Sequence, residues 1–503
     1  MTTLPALLDR NREARGDEPV MVTADRGIRH GELDEQSAVL AARLVAAGIG
    51  KGARLGVLLP NGIEWAVIAC AAARVGAVIV PLSTLLRPPE LATQLQIAAV
   101  THLVVAREFR GRRYLDDLDV AAPGILTVIR AGGRHAALPA LRAVWTGDDL
   151  PSAAVDAAIV HALEARVNAA DDFVILFTSG SRGAPKGTMH THGSALRAVA
   201  SGLDARRITA STKLYIPMPF FWTGGLAGGL LSAIVAGATL LTESTPEADA
   251  TLALLERERA TLFRGWPDQA AALAAHPRFR ATDLSSLGPA SLPSVLAADR
   301  RPAPGARANL FGMTETFGPY CGSRLDEDMP TNEHGSCGRP FAGIEVRIVD
   351  REIQVRGNNL MRGICGCTRD ATFTADGFYA TGDLGSLDAD GYLWYLGRRD
   401  DMFKVKGATV YPGEVEGALR AIDGVRQAHV TNVPGDRDEV GALVVSTRPV
   451  DELAAAAKAR LSAFKVPTRW FVTDTSDDVP MTATAKVDKA ALQDLLLRKG
   501  TAP

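Results

Sequence analysis

The stretch "ILFTSGSRGAPKG", residues 175–187, joins an apolar lead-in to hydroxyls, three glycines and a lysine preceded by proline. Successive backbone N–H groups in a glycine-rich turn form a concave anion site, and hydroxyl side chains add further donors. Thr178, Ser179, Gly180, Ser181, Gly183 and Lys186 supply those parts directly after an expected strand. The stretch fails the Walker pattern GxxxxGK[ST]: Pro185 precedes the lysine, and Gly187 stands where the metal-binding hydroxyl would be. Proline lacks an N–H and biases Ala184 away from helical geometry, so Lys186 is expected on an extended turn rather than at a helix start. Kinase-like and ATPase-like chemistry is thereby disfavoured. A glycine-rich surface loop with no ligand is the plain alternative for this stretch taken alone.

Outward from the loop, short Val/Ile/Leu-rich runs alternate with apolar helical patterns. "LDEQSAVLAARLVAAGI" and "EWAVIACAAARVG" read as helices, whereas "ARLGVLLPN", "AVIVPL", "STKLYIPMPFF" and "AGATLLTE" read as buried strands. That alternation predicts an α/β core with a mostly parallel sheet. From about residue 335 the texture turns to strand and turn, and after "GRRDDMFKVKG" it becomes short mixed elements. We therefore expect a large domain over 1–397, a junction at 398–400 and a small α+β domain over 401–503.

The bulk composition excludes several classes. At 503 residues the chain suits two or three domains, and 47% apolar with 22% charged residues gives material for buried cores. A net charge of −2 gives no reason to expect a nucleic-acid partner. The N-terminus lacks a signal-peptide layout, and the best apolar run, "WAVIACAAARVGAVIVPL", is broken by Arg74 and ends in proline. Cys70, Cys321, Cys337, Cys365 and Cys367 contain no CxxC pair. A cytoplasmic setting is the expectation, with no transmembrane segment and the oligomeric state left open, a dimer included.

Several further stretches stand in a telling order: "PFFWTGG" (219–225), "FGMTET" (311–316), "GSCGRPFAGIEVRIVD" (335–350), "YATGDL" (379–384), "GRRDDMFKVKGATVYPGEVE" (397–416) and "PMTATAK" (480–486). With the loop at 175–187 they resemble the adenylate-forming superfamily, which holds acyl-CoA synthetases, peptide-synthetase adenylation domains and luciferases. The resemblance covers nearly the whole chain. It implies a large domain of layered α/β sheets with a small β-barrel-like subdomain, followed by a small mobile α+β domain.

The implied reaction begins when a carboxylate attacks the α-phosphorus of ATP, pyrophosphate leaves and an acyl adenylate forms. Two anions must meet, so Mg²⁺ and fixed positive charge are needed. By resemblance, Lys486 is the catalytic lysine, Thr314 contacts the α-phosphate, and Glu315, with Thr178, helps to hold Mg²⁺. Phe311 and Gly312 lie against the nucleotide, and Asp383 and Arg398 reach its ribose. A thiol then takes the acyl group after the small domain swings about Asp400, with Gly407 beside the passing pantetheine. Taken singly, these residues have ordinary alternatives: an exposed glutamate, a turn aspartate, a surface lysine.

Some positions depart from the family pattern. Arg182 stands for a hydroxyl residue, Phe311 for the common tyrosine, Pro289 for a glycine in "SLGPAS" (286–291), and Ala485 for the glycine before Lys486. Trp222 occupies the neighbourhood where amino-acid-activating relatives place an aspartate, which disfavours an α-amino acid. Trp222, Gly224, Gly225, Arg264 and Trp266 are the expected acyl-pocket residues. The two glycines fit either a roomy pocket or tight helix packing, and an inward Arg264 would favour a second carboxylate or a polar tail.

The leading expectation is an acyl-CoA synthetase for a hydrophobic carboxylic acid of fatty type, with coenzyme A as thiol. Only seventeen residues follow Lys486, too few for a fused carrier protein. A stand-alone ligase loading a separate acyl-carrier protein, an aryl- or dicarboxylate-CoA ligase, and a catalytically weak ligand-binding relative remain alternatives.

Overall fold

The computed structural model describes residues 3–178, 185–308, 310–405, 408–434, 438–482 and 486–502. Two compact units divide the chain: Met1–Glu345 with Arg356–Phe378, and Val346–Val355 with Tyr379–Pro503.

The first unit is built on two sheets. One has seven strands in the order Gly363–Ile364, Lys186–Thr191, Asp172–Thr178, Val78–Pro81, Arg54–Leu58, His102–Val105 and Ala143–Thr146. Its last five are mutually parallel, and the first two join antiparallel. The other has five strands, ordered Leu262–Phe263, Lys213–Tyr215, Thr239–Leu241, Pro19–Val22 and Gly27–Arg29, parallel except for the last. Helix Ile63–Arg74 buries every side chain but Glu64, which explains why its sequence is apolar all round rather than along one stripe. Trp65 in that helix packs edge-on against Phe220, 5.3 Å away, just past a strand of the second sheet. The expected α/β core is therefore present, with parallel strands covered on both faces.

In the second unit the strand-and-turn texture forms the antiparallel ribbon Tyr379–Leu387 and Leu393–Arg398, to which Glu352–Gly357 pairs. Further on, Val425–Val433, Glu439–Ser446 and Arg469–Thr473 make a three-stranded sheet with helices Pro412–Arg420, Val450–Lys458 and Lys489–Lys499. Val415, Leu419, Val430, Val444, Leu453 and Trp470 close a separate core there. Among the described residues, no helix is long and apolar enough to cross a membrane.

Candidate active site

The described residues on either side of the glycine-rich loop form a pair of antiparallel strands. Strand Asp172–Thr178 leads in, strand Lys186–Thr191 returns antiparallel, and Thr178 pairs directly with Lys186. Lys186 therefore opens a strand, as the proline before it dictates, and its side chain is exposed. Ser179, Gly180, Ser181, Arg182 and Gly183 lie outside the described residues, as do Gly407 and Ala485.

The returning strand carries Thr188 and His190 at alternate positions, both fully buried, and buried His192 follows at once. Polar residues are seldom so enclosed without a partner. His190 has one that matters: its Nε2–H donates to the carbonyl oxygen of Thr314, 2.8 Å away. A carbonyl can only accept, so Nε2 carries a proton in this bond. Burial drives the His190 pKa down to about 4, so the ring is neutral at physiological pH. Its ring lies 4.8 Å from Phe317. The loop hairpin is thus tied to the turn Thr314–Thr316, which carries Thr314 and Glu315.

That turn is fixed from other directions too. The Thr316 hydroxyl accepts from Met313 N–H at 3.3 Å and lies 2.7 Å from the Gly318 carbonyl. Met361 N–H donates to the Glu315 carbonyl at 2.8 Å, and Arg362 N–H to Met189 at 2.8 Å, so segment 361–365 spans the turn and the returning strand. Gly312 is obligatory: a Cβ there would stand 2.2 Å from the Gly318 carbonyl oxygen. Phe311, lacking the usual hydroxyl, sits edge-on to Tyr320 at 5.5 Å. The Thr223 hydroxyl lies 3.4 Å from that of Thr314, which brings the start of helix Thr223–Gly225 to the same turn.

On this side stand the residues expected for the acyl group. Trp222 caps that short helix and meets Trp266 edge-on, ring centres 6.0 Å apart. Gly225 serves packing, because a Cβ would fall 2.2 Å from the Pro219 carbonyl oxygen. At Gly224 the obstacle is the Met218 sulfur, 2.5 Å from where a Cβ would be. Arg264 follows strand Leu262–Phe263, and its guanidinium donates to the Ala290 carbonyl at 3.1 Å, within the "SLGPAS" segment. Pro289 in that segment accepts from Arg307.

In the second unit, Asp383 and Arg398 pair across neighbouring strands and form a 2.9 Å ion pair, with Arg398 also donating to the Thr381 carbonyl at 2.9 Å. Asp383 is buried and Arg398 partly exposed. Glu352, which opens strand Glu352–Gly357 and lies outside every motif named from the sequence, is 8% exposed, accepts from Gly382 N–H at 2.9 Å and pairs with Arg399 at 3.0 Å. Gly382 has φ +73°, the left-handed conformation that favours glycine, and a Cβ would touch the Arg398 guanidinium. Asp400 is exposed in the turn that follows Leu393–Arg398. Lys486 is exposed, held through its backbone by Thr482 N–H donating to its carbonyl at 2.7 Å.

Sequence reasoning missed His190 and Glu352. Alternation of Thr188 and His190 after the loop was the available signal, for buried polar residues in a strand need partners. Glu352 left none beyond its place in a strand.

Among the described residues, no three His, Cys, Asp or Glu side chains cluster as a metal cage. Mg²⁺ does not need one: it takes one or two carboxylates and fills its octahedron with phosphate oxygens and water. The Glu315 carboxylate, on a turn tied to the loop hairpin, and the Thr178 hydroxyl, opposite Lys186, suit that mode.

Comparison with known proteins agrees in family and fold. Residues 8–365 match the model of the family described as AMP-binding enzyme. A ligase from Mycobacterium tuberculosis, named for coupling CoA to a methyl-dioxo-octahydroindenyl propanoyl group, is 34% identical over 98% of this chain and 99% of its own. A feruloyl-CoA synthase from Amycolatopsis is 31% identical over 93% of this chain and 95% of its own. The crystal structure of an anthranilate CoA ligase with anthranoyl-AMP superposes with a TM-score of 0.80 at 23% identity, covering 99% of this chain and 98% of that one.

Proposed function

Because the chain belongs to the AMP-binding enzyme family, and with it to the adenylate-forming acyl-CoA ligases, we propose that it activates a hydrophobic carboxylic acid with ATP and passes the acyl group to coenzyme A. The observation that carries this reading is the His190 bond, which holds the loop hairpin and the Thr314–Glu315 turn in one rigid frame. The loop, with Thr178, Ser179, Gly180, Ser181, Gly183 and Lys186, binds the β- and γ-phosphates. Thr314 bonds the α-phosphate, Phe311 and Gly312 flank the adenine, and Asp383 with Arg398 holds the ribose. Glu315, helped by Thr178, holds the Mg²⁺ that neutralises phosphate charge.

Lys486 bridges the acid's carboxylate and the α-phosphate, so their mutual repulsion falls as the oxygen–phosphorus bond forms and pyrophosphate leaves. In the second step the thiolate of CoA attacks the acyl carbon and AMP departs. Lys486 must clear that path, and a swing of residues 401–503 about 398–400, centred on Asp400, removes it while bringing Gly407 beside the pantetheine. The acid itself rests against Trp222 and Trp266. Ring-bearing acids suit that aromatic corner, as the relatives' named substrates do; a fatty acid is the competing choice. The setting proposed is the cytoplasm, with CoA preferred over a carrier protein as acceptor.

The test supplies ATP, Mg²⁺, CoA and a panel of ring and chain acids, and follows AMP, pyrophosphate and thioester. All three products should appear only when acid, ATP and CoA are together. Adenylate without thioester would move the acceptor to a carrier protein, and ADP in place of AMP would end the proposal.

A further inference from the structure

Arg264 is the first residue beyond the carboxyl end of strand Leu262–Phe263, and its N–H donates to the Tyr215 carbonyl at 2.9 Å. Ligands of parallel α/β sheets bind in the crevice outside the carboxyl ends of the strands. The neighbouring strand, Lys213–Tyr215, runs on at that same end into the segment bearing Trp222. Gly265 packs closely there, for a Cβ would stand 3.3 Å from the Pro217 ring, and Trp266 meets Trp222 at 6.0 Å. Arg264 is therefore anchored beside the proposed acyl site.

Its electrostatic situation is unusual. The guanidinium is partly buried, carries five N–H donors, and makes one side-chain hydrogen bond among the described residues, to Ala290. No carboxylate among the described residues pairs with it. A second cation, Arg206, lies close enough for the two charges to repel. Arg206 is buried, and all three of its guanidinium nitrogens donate, to the carbonyls of Val199 and Gly202 and the hydroxyl of Ser232, at 2.9–3.0 Å. That is how a purely structural arginine is satisfied. Arg264 leaves donors unspent and adds charge where nothing described offsets it. Withdrawing a cation from water without a counter-group is unfavourable, so such a group marks a place where a ligand supplies one.

We propose that Arg264 selects acids that carry a second oxygen acceptor at the end remote from the reacting carboxylate, as keto acids and dicarboxylic acids do. This rests on the acyl-CoA ligase reading and names the substrate class within it. The neighbouring Arg206 charge favours an anionic oxygen over a ketone.

The experiment compares cyclohexylpropanoic acid, its ring-ketone analogue and its ring-carboxylic-acid analogue in ATP–pyrophosphate exchange, with the natural chain, Arg264→Met and Arg264→Lys. The natural chain should favour an oxygenated acid over the hydrocarbon by at least about tenfold in kcat/KM, since a site with waiting donors rejects an analogue that leaves them unpaired. Arg264→Met should bring that ratio near unity with KM for ATP unchanged, and Arg264→Lys should restore part of it for the dicarboxylic acid. Each ratio is taken within one preparation, so partial misfolding does not move it. Ranking the ketone against the second carboxylate tells the two oxygen sources apart. A ratio unaltered by Arg264→Met, a preference for the hydrocarbon, or a shift confined to KM for ATP would overturn the proposal. Exchange with none of the acids would instead strike the ligase reading, and this inference with it.

Discussion

The turn Thr314–Thr316 and the segment around Lys486 carry the two residues on which the proposed first step depends most, and they are built in opposite ways. Glu315 sits on a backbone held by His190, Met361 and the Thr316 hydroxyl, with a glycine at 312 that nothing larger could replace. Lys486 is exposed, in a stretch held locally by Thr482. A group that must meet a metal–triphosphate complex in one place benefits from a frame that cannot adjust. A lysine that must first approach and then withdraw cannot be locked by burial. The contrast teaches that, in the proposed mechanism, preorganisation belongs to phosphate binding, and motion to the bond-making cation.

The sharpest way to break that contrast is Lys486→Ala. Acyl-adenylate formation should fall by about a thousandfold, the size of losing a key transition-state donor. Thioester formation from supplied acyl adenylate should largely survive. Equal loss of both half-reactions, measured separately, would remove the distinction between a fixed and a delivered group.

Glu315→Gln comes next, with a loss of roughly a hundredfold in adenylation and a raised Mg²⁺ requirement, because a neutral amide is a poor ligand for a hard cation. Titrating Mg²⁺ at saturating ATP reads this directly; an unchanged Mg²⁺ response would place the metal elsewhere.

His190→Leu probes the frame itself. It leaves the Thr314 carbonyl without its buried donor, which should cost about 1–3 kcal/mol of stability and lower kcat more than it raises KM for ATP. Glutamine can place an N–H where Nε2 stands, so His190→Gln should recover much of the kcat. If Leu and Gln behaved alike, the hydrogen bond would not be what positions the turn.

A last effect, small for any one residue, is spread over the first unit. Burial holds His30, His102, His190 and His192 each down to about 4, whereas an unfolded histidine takes its proton near 6.5. Between those values the unfolded chain binds more protons, so stability is full above the upper one and declines as pH falls towards the lower. Each histidine adds a slope of about 1.4 kcal/mol per pH unit. Denaturant midpoints from pH 7 to 4.5 should decline more steeply than one group allows. His190→Gln should remove its own share and leave the rest.

Much of this was legible before the fold was seen. Run length and bounding turn signals placed helix Ile63–Arg74 and strands Arg54–Leu58 and Val78–Pro81, because a continuous apolar run marks an element buried on all sides and its length separates helix from strand. The motif residues Thr314, Glu315, Asp383 and Arg398 were named through the resemblance of whole motifs to the adenylate-forming superfamily, since taken singly each has an ordinary alternative, and their roles stand as proposals. His190 was not legible, since its partner Thr314 lies 124 residues away and no local pattern encodes such a pairing. Glu352 and Gly382, thirty positions apart, escaped notice for the same reason. Gly225 admitted two readings until the Pro219 carbonyl was seen against it.

What the amino-acid order determined by itself was therefore the α/β core, the extended geometry of the lysine after the loop, and the identity of the charged groups, all of which depend on local conformation and residue chemistry. Only the tertiary structure decided that the loop hairpin and the Thr314–Glu315 turn share one buried imidazole, that Asp383 and Arg398 face each other across two strands, and that Arg264 has donors to spare. Those are matters of distance between remote segments, and distance is set by how sheets pack rather than by the order of residues along the chain.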